Sequence, residues 1–176
     1  MLEDIPENAL SEKIIGCAIE VHRTYGGPGL KDDAYEAALE WELKQIGISV
    51  RRQVPVRVVY KGVVFNAEDE HPKRIDLLVD DRVIVECKAV SDRARDEVFR
   101  AQCKTYLKMT GKRLGLVINF GRPTVKEGVE RVINETKDEY RKRLAKTDSA
   151  ALRRILREED GVEEPEIGIR GMACRT

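Results

Sequence analysis

The sequence predicts a layered α/β domain, a sheet with helices on both faces, and three observations predict it. Apolar residues open the chain at helical spacing, change to strand-like alternation and short all-apolar runs, and then return to helical spacing. The runs IDLLV, RVIVE and LGLVINF are apolar on both faces, as in a sheet covered on each side. The 176 residues, 41% hydrophobic and 36% charged, supply one core and an unusually charged surface.

Ile14, Ile15, Ala18, Ile19 and His22 form the stripe of a first helix over about 11–25, with Ser11 as its expected cap, broken by Gly26, Gly27, Pro28 and Gly29. Tyr35, Ala38, Leu39, Leu43 and Ile46 define a second helix from about Lys31 until Gly47. Val54, Val56, Val58 and Tyr60 then alternate in a strand, which Pro55 places near an edge because it lacks an N–H. Lys61 and Gly62 offer a turn, and Val63 to Phe65 continue a hairpin before a polar loop. Two apolar runs about Asp80 and Asp81 form a central hairpin, 96–109 a third helix ending at Gly111, and Leu114–Phe120 a last core strand. From Val125 to Arg157 the chain reads as charged helix, followed by a frayed end. The expected organisation is a domain over 1–133 and a charged helical or partly disordered extension over 134–176.

Composition narrows the function. Thirty-two basic residues balance 32 acidic ones, so only a local patch could attract nucleic acid or an anionic surface. Cys17, Cys87, Cys103 and Cys174 form no CxxC pair, which argues against structural zinc or an iron–sulfur cluster. With no basic-then-apolar leader at the start, reduced thiols and a cytoplasmic location are expected. No apolar stretch approaches the ~18 residues of a membrane span.

Three ionisable residues interrupt the central hairpin: Asp76 near the start of its first arm, Glu86 and Lys88 at the end of its second. If Asp80, Asp81 and Arg82 form the loop, Val79 faces Val83, and counting outward sets Asp76 opposite Glu86, with Lys88 on the same face. Opposed Cβ atoms are ~4.5–5.5 Å apart, so both carboxylates could reach one Mg²⁺ at ~2.0–2.1 Å. A metal between two acids polarises a phosphoryl oxygen and acidifies a water, while an ammonium alongside orients that water or stabilises developing charge. That is equipment for phosphodiester hydrolysis. An even turn would separate the groups.

Asp76, nine intervening residues and Glu86-Cys87-Lys88 resemble the PD-(D/E)XK nuclease signature. Together with VHRTYGGPGL, AYEAALEWEL, IDLLVDDRVIVECKAV, QCKTYLKMTG and GLVINFG, the chain resembles the GxxExxY family of PD-(D/E)XK-like proteins over roughly 14–133. The resemblance implies a restriction-endonuclease-like three-layer core with a mixed central sheet, and a site for Mg²⁺ or Mn²⁺. In the name-giving motif Gly29 and Tyr35 fit, but Asp32 stands at the glutamate position; Glu36, one turn on, is favoured as the auxiliary acid. Gln102 and Tyr106, spaced QxxxY on one helix face, resemble the motif with which a RecB-related exonuclease branch supports its site and DNA. His22 resembles that branch's N-terminal-helix histidine, which can approach the metal.

Each residue also has a plainer reading. Asp76, Glu86 and Lys88 could be an ion-paired strand end; Asp32 and Glu36, acids placed by the helix dipole; His22, Gln102 and Tyr106, packing. Seven basic residues against two acids between Arg93 and Arg113 could track a phosphate backbone or simply face water. Trp41 reads as packing or a contact surface, and His71 has no partner within motif distance. The expected activity is metal-dependent hydrolysis of nucleic acid, DNA more than RNA, with a homodimer allowed. The alternative keeps the fold as a catalytically inactive binding or regulatory module.

Overall fold

A computed structural model describes residues 7–61, 63–64 and 73–134. The first helix, α1 (Glu7–Thr24), buries Leu10, Ile14, Cys17, Ala18, Val21 and His22 along one face. It starts before Ser11, which is therefore not its cap; Ser11 is buried inside the helix and its Oγ donates to the Asn8 carbonyl at 2.8 Å. α2 (Asp32–Gln45) buries Tyr35, Glu36, Leu39 and Leu43. Tyr35 ties the glycine-rich connection down: its hydroxyl donates to the Gly27 carbonyl at 2.9 Å and its ring stacks on Phe120 at 4.5 Å.

The long strand expected over Val54–Tyr60 is instead divided. β1 (Val50–Pro55) ends at the proline, and the Val56 N–H turns to the Lys73 carbonyl at 2.8 Å. β2 (Val59–Tyr60) and β3 (Val63–Val64) form a separate antiparallel ribbon, with Lys61 at φ 48° in the anticipated turn. β4 (Arg74–Val79) and β5 (Val83–Lys88) form the antiparallel central hairpin. Its loop is the three-residue one: Val79 faces Val83, and Asp80 and Asp81 adopt positive φ, tolerated by aspartate in tight turns.

α3 (Asp96–Thr110) follows a short 3₁₀ turn (Arg93–Arg95) and stops at Gly111, whose φ of 69° suits a residue without Cβ. It carries the chain to β6 (Leu114–Asn119), parallel to β5. The charged helix expected from Val125 lasts four residues, α4 (Val125–Gly128), and the chain then forms β7 (Val129–Ile133), antiparallel to β6. β-Branched Val129, Val132 and Ile133 suit a strand, and at Gly128 a Cβ would lie 2.1 Å from the Asn119 carbonyl oxygen, so the chain can pass there only as glycine. The expected extension beyond Asn134, with Cys174, and the loop holding His71 lie outside the described residues.

The mixed sheet has the order β1-β4-β5-β6-β7. One face, with Leu77, Val79, Val83, Val85, Leu116 and Ile118, packs under α1 and α2; the other, with Leu78, Ile84 and Val117, packs on Phe99, Cys103, Tyr106 and Leu107 of α3. This is the three-layer α/β core.

Gly121 lets the chain after β6 pass against Val90: a Cβ would stand 2.4 Å from the Val90 nitrogen. Asn119 clasps the same crossing, its Oδ1 accepting from Val90 and Gly121 N–H groups and its Nδ2 donating to the Val90 carbonyl. Gly121→Ala is expected to cost about 2–3 kcal/mol by overpacking against backbone. Gly16→Ala, in the open interior of α1, should gain about 0.5–1 kcal/mol. Urea unfolding of the two variants checks these opposite signs.

Candidate active site

The hairpin register is what assembles the charged residues. The ladder runs from Val79↔Val83 through Leu78↔Ile84 to Leu77↔Val85 and ends there, one residue short of Asp76 and Glu86. Glu86 and Lys88 share the face of Ile84, above α3. Lys88 Nζ lies 3.2 Å from Glu86 Oε2 and 3.5 Å from Asp76 Oδ2, while the Cys87 N–H donates to Asp76 Oδ2 at 2.8 Å. The side chains are largely buried, 12% exposed for Lys88, 18% for Asp76 and 0% for Glu86.

One ammonium does not neutralise this pair. Burial, then the neighbouring Asp76 charge, push Glu86 up to about 7 against the opposing pull of Lys88. Burial likewise raises Asp76, although Lys88 and the Cys87 N–H favour its charged form. For Lys88, burial alone would favour loss of the proton, but Glu86 and Asp76 outweigh it and hold its pKa above the ordinary lysine range. Glu86 Oε1 is fully buried and has no hydrogen-bond partner among the described residues. A buried orphan oxygen in a carboxylate pair short of positive charge fits a hard divalent cation.

Glu36 stands near enough for Asp76 to raise its pKa, a smaller cause than its own burial. Its Oε1 accepts from Arg52 Nε at 2.6 Å, and Gln53 Nε2 donates to both oxygens at 2.8 and 2.9 Å. Asp32, the competing acid, is exposed at the start of α2. Of the two acids, Glu36 is the buried one. Gln53 has φ 53° inside β1, an uncommon conformation for a non-glycine residue, next to the strand that carries Asp76.

Gln102 Nε2 donates to Tyr106 Oη at 3.1 Å, and the Tyr106 hydroxyl, raised chiefly by burial, also feels the charges of Glu86, Asp76 and Lys88. α3 therefore brings this pair toward the hairpin. The interactions of His22 lead elsewhere: its Nε2 is 3.0 Å from the Arg122 carbonyl oxygen and its ring stacks near Phe120. Among the described residues, no three His, Cys, Asp or Glu side chains converge on a common metal position, so the expected four-residue set of Asp76, Glu86, Glu36 and His22 is not gathered.

Several neighbours escaped the sequence reading. Phe99, taken only as part of a helix, lies 5.7 Å from Lys88 Nζ at its ring centroid. Arg52 and Gln53 fix Glu36. Asn119, paired with Lys88 in the parallel register, anchors the segment just beyond it. Only Asn119 is signalled, and weakly, as a polar residue near the end of an apolar run.

A family model described as the PD-(D/E)XK nuclease superfamily matches residues 8–132. No curated protein and no solved structure gives a significant match.

Proposed function

Since the chain belongs to the PD-(D/E)XK nuclease superfamily, we propose that its site is a working one, cleaving phosphodiester bonds with Mg²⁺ or Mn²⁺ and acting on DNA in preference to RNA. The observation that carries this reading is the convergence of Asp76 and Glu86 on Lys88, with Glu86 Oε1 buried and without a partner among the described residues. Asp76 and Glu86 would hold the metal, which when bound supplies positive charge at the phosphoryl group and acidifies a water. Lys88 orients the nucleophile or stabilises charge on the phosphoryl oxygens. Glu36 serves as the auxiliary acid, and Gln102 with Tyr106 supports Lys88 and substrate. His22, whose Nε2 meets the Arg122 carbonyl, would have only Nδ1 to offer a metal. The GGPG turn, Tyr35 and the downstream motifs support placement in the GxxExxY branch. The buried free thiols of Cys17, Cys87 and Cys103 suit the cytoplasm.

The Lys88 contacts favour a second reading. An ammonium that already bridges Asp76 and Glu86 could be the whole purpose of the cluster, which would make the domain a binding or regulatory module. Incubation with linear, circular and single-stranded DNA in Mn²⁺ separates the two. Cleavage that EDTA abolishes is expected; intact DNA in every arm would overturn the nuclease reading.

A further inference from the structure

The basic segment that leads into α3 is less uniform than its sequence suggests. Arg93 pairs with Glu127 at 3.3 Å, Arg100 with Glu130 at 3.2 Å and, more weakly, with Glu97, and Lys112 with Asp81 at 2.9 Å. Arg122, buried nearby, is held by both oxygens of Asp96. Arg95 differs. It is exposed, has no carboxylate partner among the described residues, and its guanidinium carbon lies 5.4 Å from the centroid of Phe99.

That ring is the one beside Lys88. With Lys88 Nζ at 5.7 Å and Arg95 Cζ at 5.4 Å from the same centroid, the two cations are at most about 11 Å apart. Phe99 is itself buried in the α3 core, so the ring is a fixed platform. Arg95 is also held from the backbone side: it closes the 3₁₀ turn, whose Asp92 cap accepts from the Ala94 N–H at 2.9 Å. An arginine stacked on an aromatic face keeps its fork of donors free for a phosphate while losing little side-chain freedom on binding.

We infer that Arg95, standing on Phe99, is a substrate-binding residue that grips a backbone phosphate of the nucleic-acid strand next to the bond presented to Lys88. At about 3.4 Å of strand axis per nucleotide, its distance from Lys88 places that phosphate within a few nucleotides of the scissile one. The paired arginines of the segment are held by their acids and would contribute less. This inference rests on the nuclease reading of Asp76, Glu86 and Lys88.

The test compares wild-type protein with Arg95→Gln, Arg95→Lys and Arg93→Gln in Mn²⁺-dependent cleavage of a labelled linear DNA, and measures KM across a salt series. Arg95→Gln should raise KM by about tenfold at low salt, leave kcat within about twofold, and reduce the slope of log KM against log salt by about one. Arg95→Lys should fall between, since it keeps the charge without the planar fork, and Arg93→Gln should change KM less than Arg95→Gln. Equal melting temperatures exclude a folding effect, which would not alter the salt slope in any case. A wild-type enzyme that cleaves while Arg95→Gln keeps its KM and slope overturns this inference alone. A wild-type protein that cleaves nothing overturns the nuclease reading and this inference with it.

Discussion

Glu86→Gln and Lys88→Ala are each expected to reduce Mn²⁺-dependent cleavage by about a thousandfold or more, yet to move stability in opposite directions. Glutamine preserves the volume of Glu86 and removes a charge that burial and Asp76 both disfavour. At pH 8 without metal the variant should therefore be more stable than wild type, by about 1–2 kcal/mol, part of the gain being spent on finding partners for the new amide. At pH 5, where wild-type Glu86 is already protonated, the gain should vanish. Lys88→Ala leaves two buried carboxylates facing each other without their counter-ion, and breaking such a pair costs roughly 3–5 kcal/mol, less whatever the acids recover by taking up protons. Urea unfolding at pH 8 and pH 5 measures both signs. A Glu86→Gln protein less stable than wild type at pH 8 would mean that the carboxylate is a structural partner, as the module reading requires, and not a strained ligand.

The sequence revealed the parts of this site that depend on strand counting. Asp76, Glu86 and Lys88 could be placed on one face because a strand alternates strictly and a three-residue loop fixes the pairing, which is what Val79↔Val83 records. Gln102 and Tyr106 followed from helical spacing in the same way. What escaped depends on contacts between elements. Phe99 looks like any core aromatic until β5 lays Lys88 beside it. Arg52 and Gln53 lie on an edge strand whose period is broken by Pro55, so nothing in their spacing points to Glu36. β7 was read as helix because Lys126, Glu127, Glu130 and Arg131 mask its β-branched residues, and the geometric reason for the change, the close passage of Gly128 by Asn119, is visible only in three dimensions. His22 is a further contact of this kind: one of its ring nitrogens, Nε2, meets a main-chain carbonyl from far along the chain, which its spacing does not announce.

The same cluster sets an unusual dependence of stability on pH and metal. Glu86 titrates near 7 in the folded chain against 4.5 for an ordinary glutamate, and Asp76 and Glu36 are displaced in the same direction, each chiefly by burial. Between those values the folded state binds more protons than the unfolded one, so this contribution makes metal-free protein lose stability as pH rises from about 4.5 to 7, by up to about 3 kcal/mol from Glu86 alone. Lys88 does not offset it, since its raised pKa leaves it charged in both states throughout that window. A divalent cation competes with those protons for the same oxygens and stabilises only the folded chain. Melting in EDTA should therefore give a higher midpoint at pH 5.5 than at pH 8. Saturating Mn²⁺ should raise the midpoint by several degrees at pH 8 and by much less at pH 5.5, with the difference removed in Glu86→Gln. A midpoint indifferent to Mn²⁺ at pH 8 would mean that Lys88 already satisfies both carboxylates, and the metal would have no place between them.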